Sequence, residues 1–158
     1  MALLLLLLIP AGLVAAFGLF GYGLVTLGRT GRRRTGRPVW KRGLAALLAG
    51  VAAAFYTWGL LYVAGAVVDA EDGGTDSSPL RPCRTPGQWE RALTVVDYTV
   101  DYVPLRFVCE TTGGGRYAAE SVPGYINPAA LGFALAAAVC AGAAALESER
   151  RVREDPAV

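Results

Sequence analysis

Cys83 and Cys109 are the residues best suited to covalent chemistry in this 158-residue chain, and their spacing decides which chemistry that is. They stand 26 positions apart, far from the C-x-x-C arrangement that lowers a thiol pKa and makes a pair redox-active. They are also the only two cysteines in the polar stretch 69–125, so that stretch allows a single internal pairing. In an oxidising compartment the bridge would stabilise a small domain by roughly 3–4 kcal/mol in the chain-entropy picture. The third cysteine, Cys140, lies in a run of alanine, leucine and valine and reads as a small apolar packing residue.

Other reactive arrangements fail on specific grounds. The chain has no histidine, which removes the commonest general base and metal ligand. Asp97 and Asp101 would share one strand face, but four residues of strand separate them by about 13 Å, beyond the carboxylate spacing of either glycosidase type. "TTGGGRY" has no Lys-Ser/Thr to serve a phosphate and reads as a turn. "DAEDGGTDSSP" misses the oxygen-ligand spacing of a calcium loop, because Asp69, Glu71 and Gly73 do not match its opening. No G-x-S-x-G is present, and three cysteines, one of them in an apolar run, do not make a zinc site. The expectation is a non-catalytic chain without metal or cofactor.

The elements that position these residues are read from the apolar runs. Hydrophobic residues make up 54% of the chain and charged residues 18%, a balance that favours a membrane protein. Three runs carry no charge: 2–28, 43–68 and 129–146. Each is long enough to cross a hydrocarbon core of about 30 Å at 1.5 Å per residue, the third only just. Buried helices of a soluble protein would show a polar face, and these show none. The first run lacks a basic leader and is about twice as long as a signal-peptide core, so a retained helix is expected. Pro128 suits the first turn of the third helix.

Lysine and arginine placement sets the expected orientation. The linker 29–42 carries Arg29, Arg32, Arg33, Arg34, Arg37, Lys41 and Arg42 and no acid. The stretch 69–125 has nine acids and five bases. The linker and the tail 147–158, with Arg150, Arg151 and Arg153, are therefore expected in the cytoplasm, and the first residues and the stretch 69–125 outside. The seven linker bases are expected to contact anionic lipid headgroups, each contributing about 1 kcal/mol. No groove-reading element accompanies them, so nucleic acid is not an expected partner.

None of the spans holds an Asp, Glu, Lys or Arg, which argues against a self-sufficient pump or ion-coupled transporter. Small residues recur at four-residue spacing: Gly12 and Ala16; Ala46, Gly50 and Ala54; Ala134, Ala138 and Gly142. Such stripes let helices approach closely, first of all within the chain's own bundle, with a partner subunit or second copy as the alternative. Trp58 and the span tyrosines read as packing or interfacial anchors.

The stretch 69–125 is too short for an ample core. Its start reads as an acidic tether. "RTPGQWERAL" suggests a short helical turn, with Trp89 anchoring the small core. Over 93–103 the pattern alternates: Val96, Tyr98, Val100 and Tyr102 on one face, Asp97, Thr99 and Asp101 on the other. Pro104 marks an edge, a bulge or a break. Leu105, Phe107 and Cys109 then share a face opposite Arg106, Val108 and Glu110, and "RYAAESV" is the returning strand of a hairpin over about 105–122. Tyr125 is expected at headgroup depth.

The sequence thus predicts a membrane α-helical fold: three transmembrane helices, with a small disulfide-stapled extracytoplasmic β domain between the second and third. Composition rich in Ala, Gly, Leu and Arg suggests a bacterial source, and the location expected is the bacterial cytoplasmic membrane. The function expected is an accessory or interaction subunit of a cell-envelope assembly, with a membrane partner subunit or a second copy as partner. The alternative is a sensor or signalling adaptor whose outer β domain binds a ligand. A third possibility is a subunit of a membrane enzyme completed by another chain.

Overall fold

The computed structural model describes residues 2–32, 37–72, 74, 78–84, 86–87 and 89–154. Four α-helices and three strands follow in the order α1 (Ala2–Arg32), α2 (Arg37–Glu71), α3 (Trp89–Ala92), β1 (Val95–Tyr102), β2 (Leu105–Thr111), β3 (Arg116–Ala118) and α4 (Ile126–Glu154), with a 3₁₀ turn at Arg81–Cys83 before α3. Three of the helices are long and apolar enough to cross a membrane, over Leu3–Arg29, Val39–Glu71 and Ile126–Arg151.

Each long helix runs past its apolar stretch, because charge alone does not end a helix. α1 continues to Arg32 and α2 begins at Arg37, so every described residue of the basic linker is helical. Arg33 and Arg34 lie outside the described residues. α2 continues through Asp69–Glu71, the first residues of the expected acidic tether, and α4 begins three residues before the apolar run at 129. Pro128 occupies the first turn of α4, where its missing N–H has no helical partner to lose.

The strands form one antiparallel sheet in the order β1-β2-β3. β1 and β2 are joined through Val103 and Pro104, and Tyr102 pairs with Leu105. β2 and β3 pair Cys109 with Tyr117 and Glu110 with Arg116. Their turn needs left-handed backbone at Gly113 and Gly114, with φ of +107° and +79°, which glycine adopts without a side-chain penalty. The returning strand is only three residues long; Ala119 still donates its N–H to Phe107, and the chain then turns towards α4.

The expected face of β1 holds at Tyr98, Val100 and Tyr102 and breaks at Val96. A bulge shifts the register between Val95 and Asp97. The extra residue reverses the alternation, so Val96 is exposed and Val95 packs on the core instead. Trp89 is not the core anchor expected of it. It is 55% exposed, while Ala92 of the same single turn is fully buried. In this one-turn helix Ala92 takes the inward position.

The described residues form two compact units. One combines the start of α1, up to Pro10, with Tyr56–Asn127. Its core gathers Leu60, Val63 and Val67 of α2, Val100, Leu105, Phe107 and Cys109 of the sheet, and Leu5 of α1. The other combines Ala11–Phe55 with α4 from Pro128 onwards. Within it α1 and α2 approach closely: a Cβ on Gly23 would lie 2.7 Å from the Leu47 side chain, and one on Gly50 3.2 Å from the Phe20 ring. Ala16, Ala46 and Gly50 are buried, and Phe55 stacks on Phe133 of α4 at 5.7 Å.

The α4 stripe behaves differently from the intrabundle packing expected. Ala134, Ala138 and Gly142 are exposed, whereas Ala137 and Ala144 are buried. In a helix this rich in alanine several faces carry small residues at helical spacing, and the position of Phe133 decides which one turns inward.

Candidate functional site

The Tyr56–Glu71 half of α2 is the platform on which the sheet is mounted. Gly59 makes the mounting possible. A Cβ there would lie 2.6 Å from Leu105 Cδ2 and 2.9 Å from Ile126 Cγ2, and both partners are 1% exposed. Asn127 closes the same corner: the Leu105 N–H donates to Asn127 Oδ1 at 2.9 Å, and Asn127 Nδ2 donates to the Leu105 carbonyl at 3.1 Å. One side-chain amide thus satisfies both backbone groups of the first residue of β2. Tyr56 adds a third tie, donating its hydroxyl to the Tyr102 carbonyl at 2.9 Å.

Further along α2 the sheet is tied by its aromatic residues. Tyr98 stacks on Phe107 at 4.9 Å and donates its hydroxyl to Glu71 Oε1 at 2.9 Å. Burial, the hydrogen bond to Glu71 and the negative charges of Glu71 and Asp97 push the Tyr98 phenol up to about 12 from its ordinary value of 10.0. A raised pKa means that this bond contributes fully below pH 10 and is lost as pH rises through about 12. Followed by the ring-carbon shift in NMR, Tyr98 should titrate near 12 in the native protein, and Glu71→Gln should move it back towards 10. Titration of the wild type near 10 would remove the Glu71 contact from the account.

Cys83 and Cys109 form a disulfide with a Cα–Cα distance of 6.1 Å, and both residues are fully buried. Beside it Tyr117, the cross-strand partner of Cys109, donates its hydroxyl to the Cys83 carbonyl at 2.8 Å. Burial raises the Tyr117 phenol, and the positive charge of Arg91 opposes the rise. On the other sheet face Glu110 receives the Arg116 guanidinium and the Thr99 hydroxyl. The Arg116 hydrogen bond holds the Glu110 carboxyl below its usual range.

Next to this platform lies a cleft of about 470 Å³. Trp58, Leu61, Tyr62 and Ala66 give it an apolar and aromatic wall along α2, and Gly65 leaves the wall low. Asp69, Arg81, Pro82 and Ser121 complete its lining. Trp58 and Tyr62 meet edge to face at 6.0 Å. The cleft therefore joins an apolar and aromatic wall to residues of polar and charged type. Among the described residues no group of three or more His, Cys, Asp or Glu is placed to hold a metal ion.

The basic residues singled out from the sequence fall at helix ends. Arg29 is exposed near the end of α1, and Arg32 and Arg37 lie in α1 and α2. Lys41 pairs with Glu147 of α4, and Arg42 donates to the Ser148 hydroxyl at 3.3 Å, so these two hold the start of α2 to α4. Cys140 is a half-buried free thiol on α4. Sequence reading missed Gly59 and Asn127. Asn127 carried a signal, a polar residue just before Pro128 at a helix start, but nothing in the sequence named Leu105 as its partner. No known protein family, curated protein or solved structure matches the chain.

Proposed function

We propose that this chain is a non-catalytic, three-span membrane protein that serves as an accessory or interaction subunit of a bacterial cell-envelope assembly. The carrying observation is the uncommitted face of α4. Ala134, Ala138 and Gly142 are exposed there between Leu131, Leu135 and Val139, which are 59–71% exposed. Small residues flanked by large apolar ones form a surface on which another helix can pack closely, where lipid tails supply no hydrophobic drive for association. Among the described residues Thr57 is the one polar residue buried as a whole, in keeping with an interior built largely by packing.

Insertion in a membrane is supported by more than hydropathy. Trp40 and Trp58 are each 53% exposed and stand eighteen positions apart on α2. That spacing is about 27 Å of helix, close to a hydrocarbon core of about 30 Å, so the two indoles suit the two interfaces. In the proposed orientation the basic segment 29–42 and the tail face the cytoplasm, and the sheet faces the oxidising side. The linker bases would then meet anionic headgroups, with Lys41 and Arg42 shared between lipid and α4.

Purification in mild detergent tests the reading. A stoichiometric membrane partner, or a second copy, should co-purify with the wild type. Replacing the exposed small residues (Ala134→Phe with Ala138→Phe) should reduce the association by about tenfold or more through lost close contact. A chain that stays monomeric without partners, or an association indifferent to these substitutions, would contradict it.

A further inference from the structure

We infer that the tip of the β1–β2 hairpin, residues 102–105, is a membrane anchor that enters the sheet-side leaflet where hydrocarbon meets headgroups and sets Val103 among the lipids. This rests on the membrane reading above and adds to it a bilayer contact that is not a span. The partner is the lipid of that leaflet.

Depth follows from what the tip touches on the long helices. Leu105 packs on Gly59, and the Tyr102 carbonyl accepts from the Tyr56 hydroxyl, so the tip meets α2 between these two positions. Both lie in the uncharged run 43–68. The first charge beyond them, Asp69, is ten positions from Gly59, about 15 Å along the helix. A second helix gives the same level. Ile126 shares the Gly59 contact, Asn127 clasps Leu105, and the third apolar span opens at Ile126. Trp58 adjoins Gly59 and Tyr125 adjoins Ile126, and both are exposed. Such aromatic side chains settle at the boundary between hydrocarbon and headgroups.

The chemistry of the tip suits that depth. Tyr102, Val103, Pro104 and Leu105 carry no charge, and the nearest charges, Asp101 and Arg106, face each other one pair back in the ladder. Val103 is 89% exposed, more than any other large apolar residue among those described. The backbone beside it is tied internally. Asn127 takes both the N–H and the carbonyl of Leu105, Tyr56 takes the Tyr102 carbonyl, and Pro104 has no N–H to satisfy. Backbone groups that leave bulk water need such partners, because hydrocarbon offers none. At the boundary, any group these ties do not serve still reaches water and headgroup donors. The opposite end of the hairpin is of another character: it closes through Thr94 and Thr112, beside the Glu110–Arg116 ion pair.

The test uses the full chain in vesicles of phosphatidylethanolamine and phosphatidylglycerol, with a nitroxide spin label at one introduced cysteine at a time in a Cys140→Ala background. Three exposed sites are compared: Val103→Cys at the tip, Val96→Cys at the far end of β1, and Val14→Cys on α1. At each, label collisions with oxygen, which concentrates in hydrocarbon, are measured against collisions with a water-soluble nickel chelate. Peptide masses without reductant show whether the Cys83–Cys109 bridge, and so the folded sheet unit, is intact in each variant. Oxygen should prevail at Val103 and Val14, and nickel at Val96. Nickel prevailing at Val103 as it does at Val96, with oxygen still prevailing at Val14, would overturn the inference and leave the membrane reading intact. So would a Val103 label shielded from both reagents, the result of a partner subunit covering the tip. Nickel prevailing at Val14 as well would overturn both.

Discussion

Removing the bridge, with Cys83→Ala and Cys109→Ala together, should cost the sheet unit about 3.5 kcal/mol, the chain-entropy value for a loop of 26 residues. The double change leaves Cys140 no partner within the chain for a wrong disulfide. The cost is large for this unit because its core is small. Apart from α2 and the first turns of α1, it has three short strands around Phe107, Leu105 and Val100. Both sulfurs are also fully buried, so their loss leaves a void in addition to the released chain. Measured by amide hydrogen exchange of β2, protection should fall by about 300-fold. Exchange within about threefold of the wild type would show that the sheet is held by α2 alone and that the disulfide is incidental.

The second large effect is expected at Gly59. Gly59→Leu drives a side chain into space already filled by Leu105 and Ile126, neither of which has an exposed direction to move. Overpacking of this kind typically costs about 1–3 kcal/mol, and the upper end is expected because the substitution also pushes the Asn127 clasp off the start of β2. Gly65→Leu is the internal control. It lies six residues further on the same helix, meets nothing within 4 Å, and should change stability by less than about 0.5 kcal/mol. Thermal unfolding in detergent, read by aromatic circular dichroism, separates the two. Equal effects at both glycines would mean that helix propensity, not the sheet contact, sets the outcome.

How much of this was legible beforehand depends on what kind of information each feature needs. The disulfide was legible by elimination, because the stretch 69–125 holds only two cysteines. The strands were legible where alternation is local, from Tyr98 to Tyr102 and from Leu105 to Cys109. At Val96 alternation failed, since a bulge inserts one residue and no pattern of side chains announces it. Trp89 misled because size suggests burial, while the local geometry gave the inward position to Ala92. The α4 stripe misled for a related reason: when almost every residue is small, spacing cannot choose a face.

Gly59 and Asn127 were illegible for a different reason. Each acts on a partner distant in sequence, and a glycine in an apolar helix looks the same whether it faces lipid or a leucine side chain. Gly59 and Gly65 make the point within two helical turns, since one is filled by Leu105 and Ile126 and the other is open. The cleft follows from the same limitation. Asp69 and Arg81 are separated by a polar stretch, and only the folded chain brings them to one surface.

The proposed orientation puts the sheet and its disulfide on the opposite side of a membrane from the basic segment 29–42. Cysteine labelling in intact cells tests this most directly, in a Cys140→Ala background so that the bridged pair is the only native cysteine left. A membrane-impermeant maleimide should label Glu120→Cys, exposed after β3, without permeabilisation, and should label Glu149→Cys, exposed on α4, only after it. The reverse pattern, or equal labelling of both positions in intact cells, would contradict the orientation and with it the oxidising environment of Cys83 and Cys109.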